Sequence, residues 1–167
     1  INFIILPNIG KEITSYIKNN NINRLILSGG EDIGIYKNRD ITEREIIKHS
    51  LKYKIPLIGI CRGMQFIYKY FGGNLVKLKN NSHVGKSHKV LIDGKEIIVN
   101  SYHNYVIEKK NFKKRFKTIA LSKENFIEAF KLTNYPIYGI MWHPERQKKI
   151  KIFDKKFFKK FLYEKKF

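Results

Sequence analysis

The chain has 167 residues, 43% of them hydrophobic and 14% aromatic, which is enough to bury one core and too little for two ordinary domains. No run approaches the roughly 18 to 20 uninterrupted apolar residues of a membrane span, and no charged leader with an apolar h-region opens the chain, so one domain over residues 1–167, cytoplasmic and off the membrane, is expected. A single cysteine, Cys61, excludes an internal disulfide and any multi-cysteine zinc site. The formal net charge is +20, but all but six of the 34 basic residues are lysines scattered along the chain, whereas base-reading modules gather arginine and aromatics on one element. The charge therefore reads as a lysine-decorated surface, or as a field that draws in an anionic substrate. A nucleic-acid-binding module using Lys109, Lys110, Lys113, Lys114, Arg115 and the terminal lysines is the competing class, and it implies affinity that falls steeply with salt.

In chain order, Phe3-Ile4-Ile5-Leu6-Pro7 has the pattern of a short strand buried on both faces and stopped by proline. Ile13, Tyr16 and Ile17 recur at helical spacing, and Leu25-Ile26-Leu27 runs as a second buried strand into the glycine turn Ser28-Gly29-Gly30. Thr42 with Glu45 three residues on has the form of a capping box, opening a helix with Ile46, Ile47, Ser50 and Leu51 on one face. A third buried strand follows at 56–60. This alternation predicts an α/β fold with a mostly parallel sheet flanked by helices. Beyond Phe71-Gly72-Gly73 the pieces become short and β-rich: 75–76, 89–92, 96–100, 118–121 and 127–132, with Asp93-Gly94 as a two-residue hairpin signal. An additional small antiparallel β region is expected there. An apolar run over 137–142 then meets Pro144, and the chain closes in a lysine-rich amphipathic helix with Phe153, Phe157, Phe158, Phe161 and Leu162 on one face. That face could lie on an acidic membrane; a helix covering the sheet is the favoured reading.

Chemistry concentrates in two places. Gly59-Ile60-Cys61-Arg62-Gly63 has the glycine spacing of a nucleophile elbow, where a buried strand turns into a helix, and the helix N-terminus is expected to favour thiolate below the usual pKa of roughly 8.5. The other reading of Cys61 is a small buried hydrophobe. A nucleophilic cysteine needs a base. Of the five histidines, His49 falls mid-helix and reads as surface, while His83 and His88 lack the helical i, i+4 spacing and supporting ligands of a metal pair. His143-Pro144-Glu145 follows directly on an apolar strand. Pro144 holds His143 extended, and in an extended chain Glu145 lies on the same side as His143 and can orient it. Strand ends of a parallel sheet open on one rim, where Cys61 and His143 converge.

These residues carry a resemblance. Ser28-Gly29-Gly30, Gly59-Ile-Cys61-Arg-Gly-Met-Gln65, Asn100-Ser-Tyr-His103 and Gly139-Ile-Met-Trp-His143-Pro-Glu145 resemble the class I glutamine amidotransferases, in that family's order and over nearly the whole chain. The resemblance implies a flavodoxin-like domain and a Cys61, His143, Glu145 triad. It further implies an oxyanion hole from the backbone N–H groups of Gly30 and Arg62, and a glutamyl group held by Gln65 and near Tyr102, Asn104 and Tyr105. No metal and no organic cofactor is implied. Arg62 after the nucleophile, where ammonia-supplying glutaminases usually carry leucine, and the run Arg39-Asp40-Ile-Thr-Glu43 ahead of the helix look like the stand-alone, peptidase C26 branch, which includes γ-glutamyl-γ-aminobutyrate hydrolases. The chain is also similar to the γ-glutamyl-CDP-amidate hydrolases of capsule phosphoramidate synthesis, whose substrate carries phosphates. The expected partner is thus a small γ-glutamyl amide, nucleotide-linked in that narrower case. A glutaminase serving a separate synthase partner, and a degenerate fold without activity, are the alternatives; the intact Cys, His and Glu speak against the latter. Members of the stand-alone branch begin with a strand and helix ahead of the segment that opens here, so an N-terminally incomplete domain, with Ile1 not the true start, is expected. Oligomeric state is not readable from the residues.

Overall fold

The computed structural model describes residues 2–79 and 83–163; Ile1 and the terminal Lys165 and Lys166 lie outside them. Among the described residues, helices α1 (Ile13–Asn19), α2 (Lys37–Tyr53), α3 (Arg62–Tyr70) and α4 (Ile152–Tyr163) accompany nine strands. These are β1 (Leu25–Leu27), β2 (Leu57–Ile60), β3 (Val76–Lys77), β4 (Val84–Ile92), β5 (Lys95–Tyr102), β6 (Tyr105–Val106), β7 (Phe116–Ser122), β8 (Ile127–Leu132) and β9 (Ile137–Ile140). Seven strands form one sheet in the order β1-β2-β9-β8-β7-β4-β5, and β3 pairs with β6 in a small antiparallel second sheet. β1, β2 and β9 run parallel, with Leu25 opposite Leu57 and Leu57 opposite Ile137. From β9 outward the pairing is antiparallel, so the sheet is mixed.

Strand residues point alternately to the two faces, and that alternation divides the core in two. Leu57 and Ile137 pack with Ile13, Ile17, Ile46, Ile47, Met64 and Ile67 of α1, α2 and α3. Their neighbours Ile58 and Tyr138 pack on the other face with Trp142, Phe157 and Phe161. The aromatic stripe of α4 thus covers the sheet as expected: Phe153 lies 6.2 Å from Trp142, and Phe157 meets Tyr138 edge-on at 5.8 Å. Phe161 is fully buried, and removing such a ring from water contributes about 1.5–3 kcal/mol. Trp142 Nε1 donates to Asp154 Oδ1 at 3.0 Å, pinning α4 to the strand end that carries His143.

Three local expectations are corrected. Phe3-Ile4-Ile5-Leu6-Pro7 is not a strand; Phe3 is 76% and Ile5 96% exposed. A groove of about 810 Å3, lined by residues 2–6, Leu25, Ile26 and Phe161 among others, separates the segment from β1, and a strand without a hydrogen-bonded neighbour does not form. Helix α2 begins at Lys37 after an N-cap, Tyr36, that makes no side-chain cap bond, so Thr42 is interior. Its hydroxyl donates to Asn38 O and accepts from Gly10 N–H, both at 2.8 Å, rather than capping. Arg39, Asp40 and Glu43 accordingly sit within α2, not ahead of it. His49 is buried, not on the surface, with its ring 4.6 Å from Tyr53. The hairpin at Asp93-Gly94 forms as read: both residues have positive φ (47° and 76°), and Ile92 pairs with Lys95.

Candidate active site

Cys61 occupies the junction of β2 and α3 with φ 50° and ψ −106°, a region non-glycine residues rarely adopt and one that costs on the order of 1–3 kcal/mol. Its own N–H is fixed on Ile140 O of β9 at 2.8 Å, and its carbonyl accepts from Gln65 N–H at 3.0 Å as the first turn of α3. The flanking glycines serve close approach rather than the turn itself. A Cβ on Gly59 would collide with the backbone of Gly63, and one on Gly63 with the carbonyl of Leu27, so α3 seats directly against β2 and β1 only because both are glycine. The strain is therefore carried by Cys61 and held by packing around it.

The thiol is not the poised thiolate that the helix terminus suggests. Burial pushes the Cys61 pKa up to about 11, against the downward pull of the Arg62 N–H and the Arg146 guanidinium, while Glu145 and Glu128 add to the rise. Desolvation outweighs the helix end here because the side chain is almost fully enclosed. The resting group is a protonated thiol.

His143 follows β9 by three residues, on the strand hydrogen-bonded beside the one that ends in Cys61. It is extended (φ −111°, ψ 91°), as the following proline requires. Glu145 Oε1 lies 2.5 Å from His143 Nδ1, as expected, although by another path: Pro144–Arg146 form a 3-10 turn that swings the half-exposed carboxylate back to the ring. On the other side the imidazole rests on the glycine turn, where a Cβ on Gly29 would stand 2.5 Å from His143 Cε1. Asn100 of β5 clamps the backbone. Its Nδ2 donates to His143 O at 2.7 Å and its Oδ1 accepts His143 N–H at 2.8 Å. That role is not legible from the sequence, where Asn100 is only part of a motif; a side-chain amide matched to the backbone N–H and C=O of one distant residue leaves no periodic signal.

The rim is completed by three groups. Tyr102 meets His143 edge-on at 5.7 Å and carries the Arg146 guanidinium 4.6 Å over its face. Gln65 donates to Tyr105 O at 3.3 Å and, with Tyr105, Asp32, Ile33 and Leu75, lines a cavity of about 250 Å3. Asn104 has a buried side-chain oxygen with no hydrogen-bond partner among the described residues, and its carbonyl accepts from Leu78 N–H at 2.7 Å. In the glycine turn, Arg39 Nη2 takes the carbonyls of Ser28 (2.7 Å) and Gly29 (3.1 Å), fixing the peptide units that lead into Gly30. Arg62, buried behind the elbow, pairs with both Asp40 and Glu43, and Glu43 also accepts from Arg39 Nε at 2.7 Å. This two-arginine, two-carboxylate cluster braces α2 against the start of α3 and couples the elbow to the glycine turn. The structure thus joins Tyr102, Glu145 and the glycine turn at Gly29 to His143, and Gln65 to Tyr105, with Cys61 and Arg62 at the head of the helix that carries Gln65. It places His83, His88 and His103 elsewhere, around Glu128.

Comparison with known proteins gives a consistent outcome. The family model for glutamine amidotransferase class-I matches residues 2–165. The γ-glutamyl-CDP-amidate hydrolase of Campylobacter jejuni is 41% identical over 152 residues, spanning 87% of this chain and 73% of that protein. A subunit of the glutamine-hydrolysing GMP synthase of Thermococcus kodakarensis is 31% identical over 127 residues, 72% of this chain and 65% of its own length. Among solved structures, a Thermoplasma acidophilum protein described as a GMP synthase subunit superposes with a TM-score of 0.72 at 28% identity, over 95% of this chain and 78% of that one.

Proposed function

Because the chain belongs to the class I glutamine amidotransferase family, we propose that it hydrolyses a γ-glutamyl amide through a thioester on Cys61, with His143 as proton carrier and Glu145 as the group that orients it. The observation that carries this reading is the His143 Nδ1–Glu145 contact of 2.5 Å, on the strand paired with the one that delivers Cys61 in a strained elbow. With Nδ1 turned to the carboxylate, Nε2 is the nitrogen left for the thiol proton.

The chemistry then runs as acyl transfer. As sulfur attacks the γ-carbonyl carbon, the Cys61 proton passes to His143, which suits a thiol whose pKa lies near 11 and which is ionised only during the attack. Negative charge on the carbonyl oxygen is met by the backbone N–H groups of Gly30 and Arg62. One such donor is typically worth about 3 kcal/mol in the transition state. Collapse breaks the C–N bond, His143 returns the proton to the departing nitrogen, and a glutamyl thioester remains. Water gives a proton to the same imidazole, attacks the thioester and releases glutamate, restoring the thiol. Gln65 and the Tyr102, Asn104 and Tyr105 loop hold the amino and carboxyl ends of the glutamyl group beside the 250 Å3 cavity.

For the leaving group, the reading favoured is a nucleotide-linked amide of the γ-glutamyl-CDP-amidate kind, as in capsule phosphoramidate synthesis. The similarity to the Campylobacter jejuni hydrolase supports it, and so does Arg146, a cation stacked on Tyr102 at the mouth of the site in a chain of net charge +20. A second reading, ammonia supply to a separate synthase, is favoured by the likeness to the GMP synthase subunits. Glutamate release from glutamine, γ-glutamyl-aminobutyrate and a γ-glutamyl CDP-amidate, each with the Cys61→Ala variant alongside, separates them. Turnover of the CDP-amidate well above that of glutamine is expected. Glutamine as the sole substrate would move the assignment to the synthase-linked class.

A further inference from the structure

Away from Cys61, four side chains from separate strands and loops converge on one buried point. Glu128 of β8 is 1% exposed, His103 after β5 is 3% exposed, and His83 before β4 is 9% exposed. One ligand atom from each of these three lies within 4.8 Å of the others. Both Glu128 oxygens, His83 Nδ1 and His103 Nε2 are buried with no hydrogen-bond partner among the described residues. A carboxylate enclosed in this way is strongly disfavoured unless a positive charge meets it. His88 Nε2 stands 3.3 Å from Glu128 Oε2, close enough for charge attraction but out of line for a hydrogen bond, and it leaves the second oxygen unmet. His103 turns Nδ1 to Tyr105 O at 3.0 Å, so the proton belongs on that nitrogen and Nε2 offers its lone pair to the centre.

We propose that His83, His103 and Glu128 bind one divalent transition-metal ion of the zinc type, with His88 as the outer partner that orients the carboxylate. Two imidazoles and a carboxylate form a donor set suited to zinc or cobalt, with a fourth position left for water or a small anion, and the set is poorly matched to calcium or magnesium, which take oxygen ligands.

The ion has a structural task at this place. It ties the start of β4, the turn after β5 and β8 together. His103 sits between Tyr102, which touches His143, and Tyr105, whose carbonyl accepts from Gln65. Fixing His103 therefore fixes the loop on the glutamyl side of the rim, from a position that touches no reacting atom.

The test uses the full chain, stripped with a chelator and reloaded with Zn2+ or Co2+ alone. About one equivalent per chain is expected to survive gel filtration, to raise the melting temperature and, as Co2+, to give the visible bands of a tetrahedral centre without thiolate charge transfer. Cys61→Ala should load identically. His103→Gln and Glu128→Gln should retain less than about a tenth of an equivalent, and His88→Gln should bind roughly 10- to 100-fold more weakly, as loss of an outer-shell partner does. Should the glutamine variants not fold, the Co2+ spectra of the wild type and Cys61→Ala still decide. A wild-type chain that retains no ion, loading that depends on Cys61, or folded His103→Gln loading like the wild type would each overturn the proposal. Because the readout is metal content and spectrum, its failure leaves the hydrolase reading untouched.

Discussion

At the residue level, the site trades reactivity at rest for enclosure. Cys61 is held at positive φ and kept protonated by burial, so its reactivity is supplied at the moment of attack by His143. Alkylation by iodoacetamide in the absence of substrate should report this. Because the thiolate is the reacting species and the pKa stands at about 11, the rate should keep climbing nearly tenfold per pH unit through pH 9 and beyond. A plateau by pH 8 would mean a preformed thiolate pair instead. Asn100 makes a second claim at this scale. Replacing it with alanine removes both bonds to the His143 peptide, and a catalytic ring displaced by even an ångström can cost about 10²-fold in rate. Asn100→Ala is expected to lose turnover on that order with a smaller change in KM; unaltered kcat in steady-state kinetics would show that the clamp has no part in placing His143. Glu145→Gln should also lower kcat, by about 10²- to 10⁴-fold in the same assay, because a neutral amide neither fixes the tautomer nor stabilises the imidazolium.

At the level of elements, the informative contrast lies between α2 and the strands. The strands at 57–60 and 137–140 match their apolar runs closely, because a strand buried on both faces must be apolar at nearly every position; at 25–27 only Leu25 and Leu27 are buried, and Ile26 is 39% exposed. Helix α2 starts six residues earlier than Thr42 and Glu45 indicate, with Tyr36 rather than Thr42 at the N-cap. Its first turns are polar, and what they bind, the buried guanidinium of Arg62 on α3, is a tertiary partner that no local pattern declares. Glu43 meets both Arg62 and Arg39, so Glu43→Ala leaves a buried cation short of charge. It should lower the unfolding free energy by about 3–5 kcal/mol in urea titration. A change below about 1 kcal/mol would show the cluster to be solvated. The segment at 3–7 teaches the converse. Its composition suits a strand, yet strand formation depends on a hydrogen-bonded neighbour, and β1 does not pair with it.

For the whole molecule, the fold acts as a register device. Parallel pairing of β1, β2 and β9 sets Leu27, Gly59 and Gly139 side by side, so that the glycine turn, the elbow and the His143 segment all leave the sheet at one edge. This convergence was legible from three motifs lying at three strand ends. The return of β5 was not: it crosses to the far edge of the sheet, yet sends Asn100 and Tyr102 back to His143. Nor was the gathering of His83, His88 and His103 around Glu128, since those residues come from elements whose pairing depends on the antiparallel half of the sheet. Local chemistry can be read along the chain, whereas partners brought together by long-range pairing emerge only from the topology. Among the described residues no helix is long and apolar enough to cross a membrane, and the aromatic stripe of α4 is spent on the core.

The central claim is a covalent glutamyl intermediate on Cys61. Acid quenching of the enzyme during turnover of a γ-glutamyl amide, followed by peptide mass analysis, tests it directly. A mass gain of one glutamyl residue is predicted on the peptide that contains Cys61, accumulating in Glu145→Gln if deacylation is slowed and absent from Cys61→Ala, which releases no glutamate. Sustained glutamate release by Cys61→Ala, or the adduct on another residue, would contradict it.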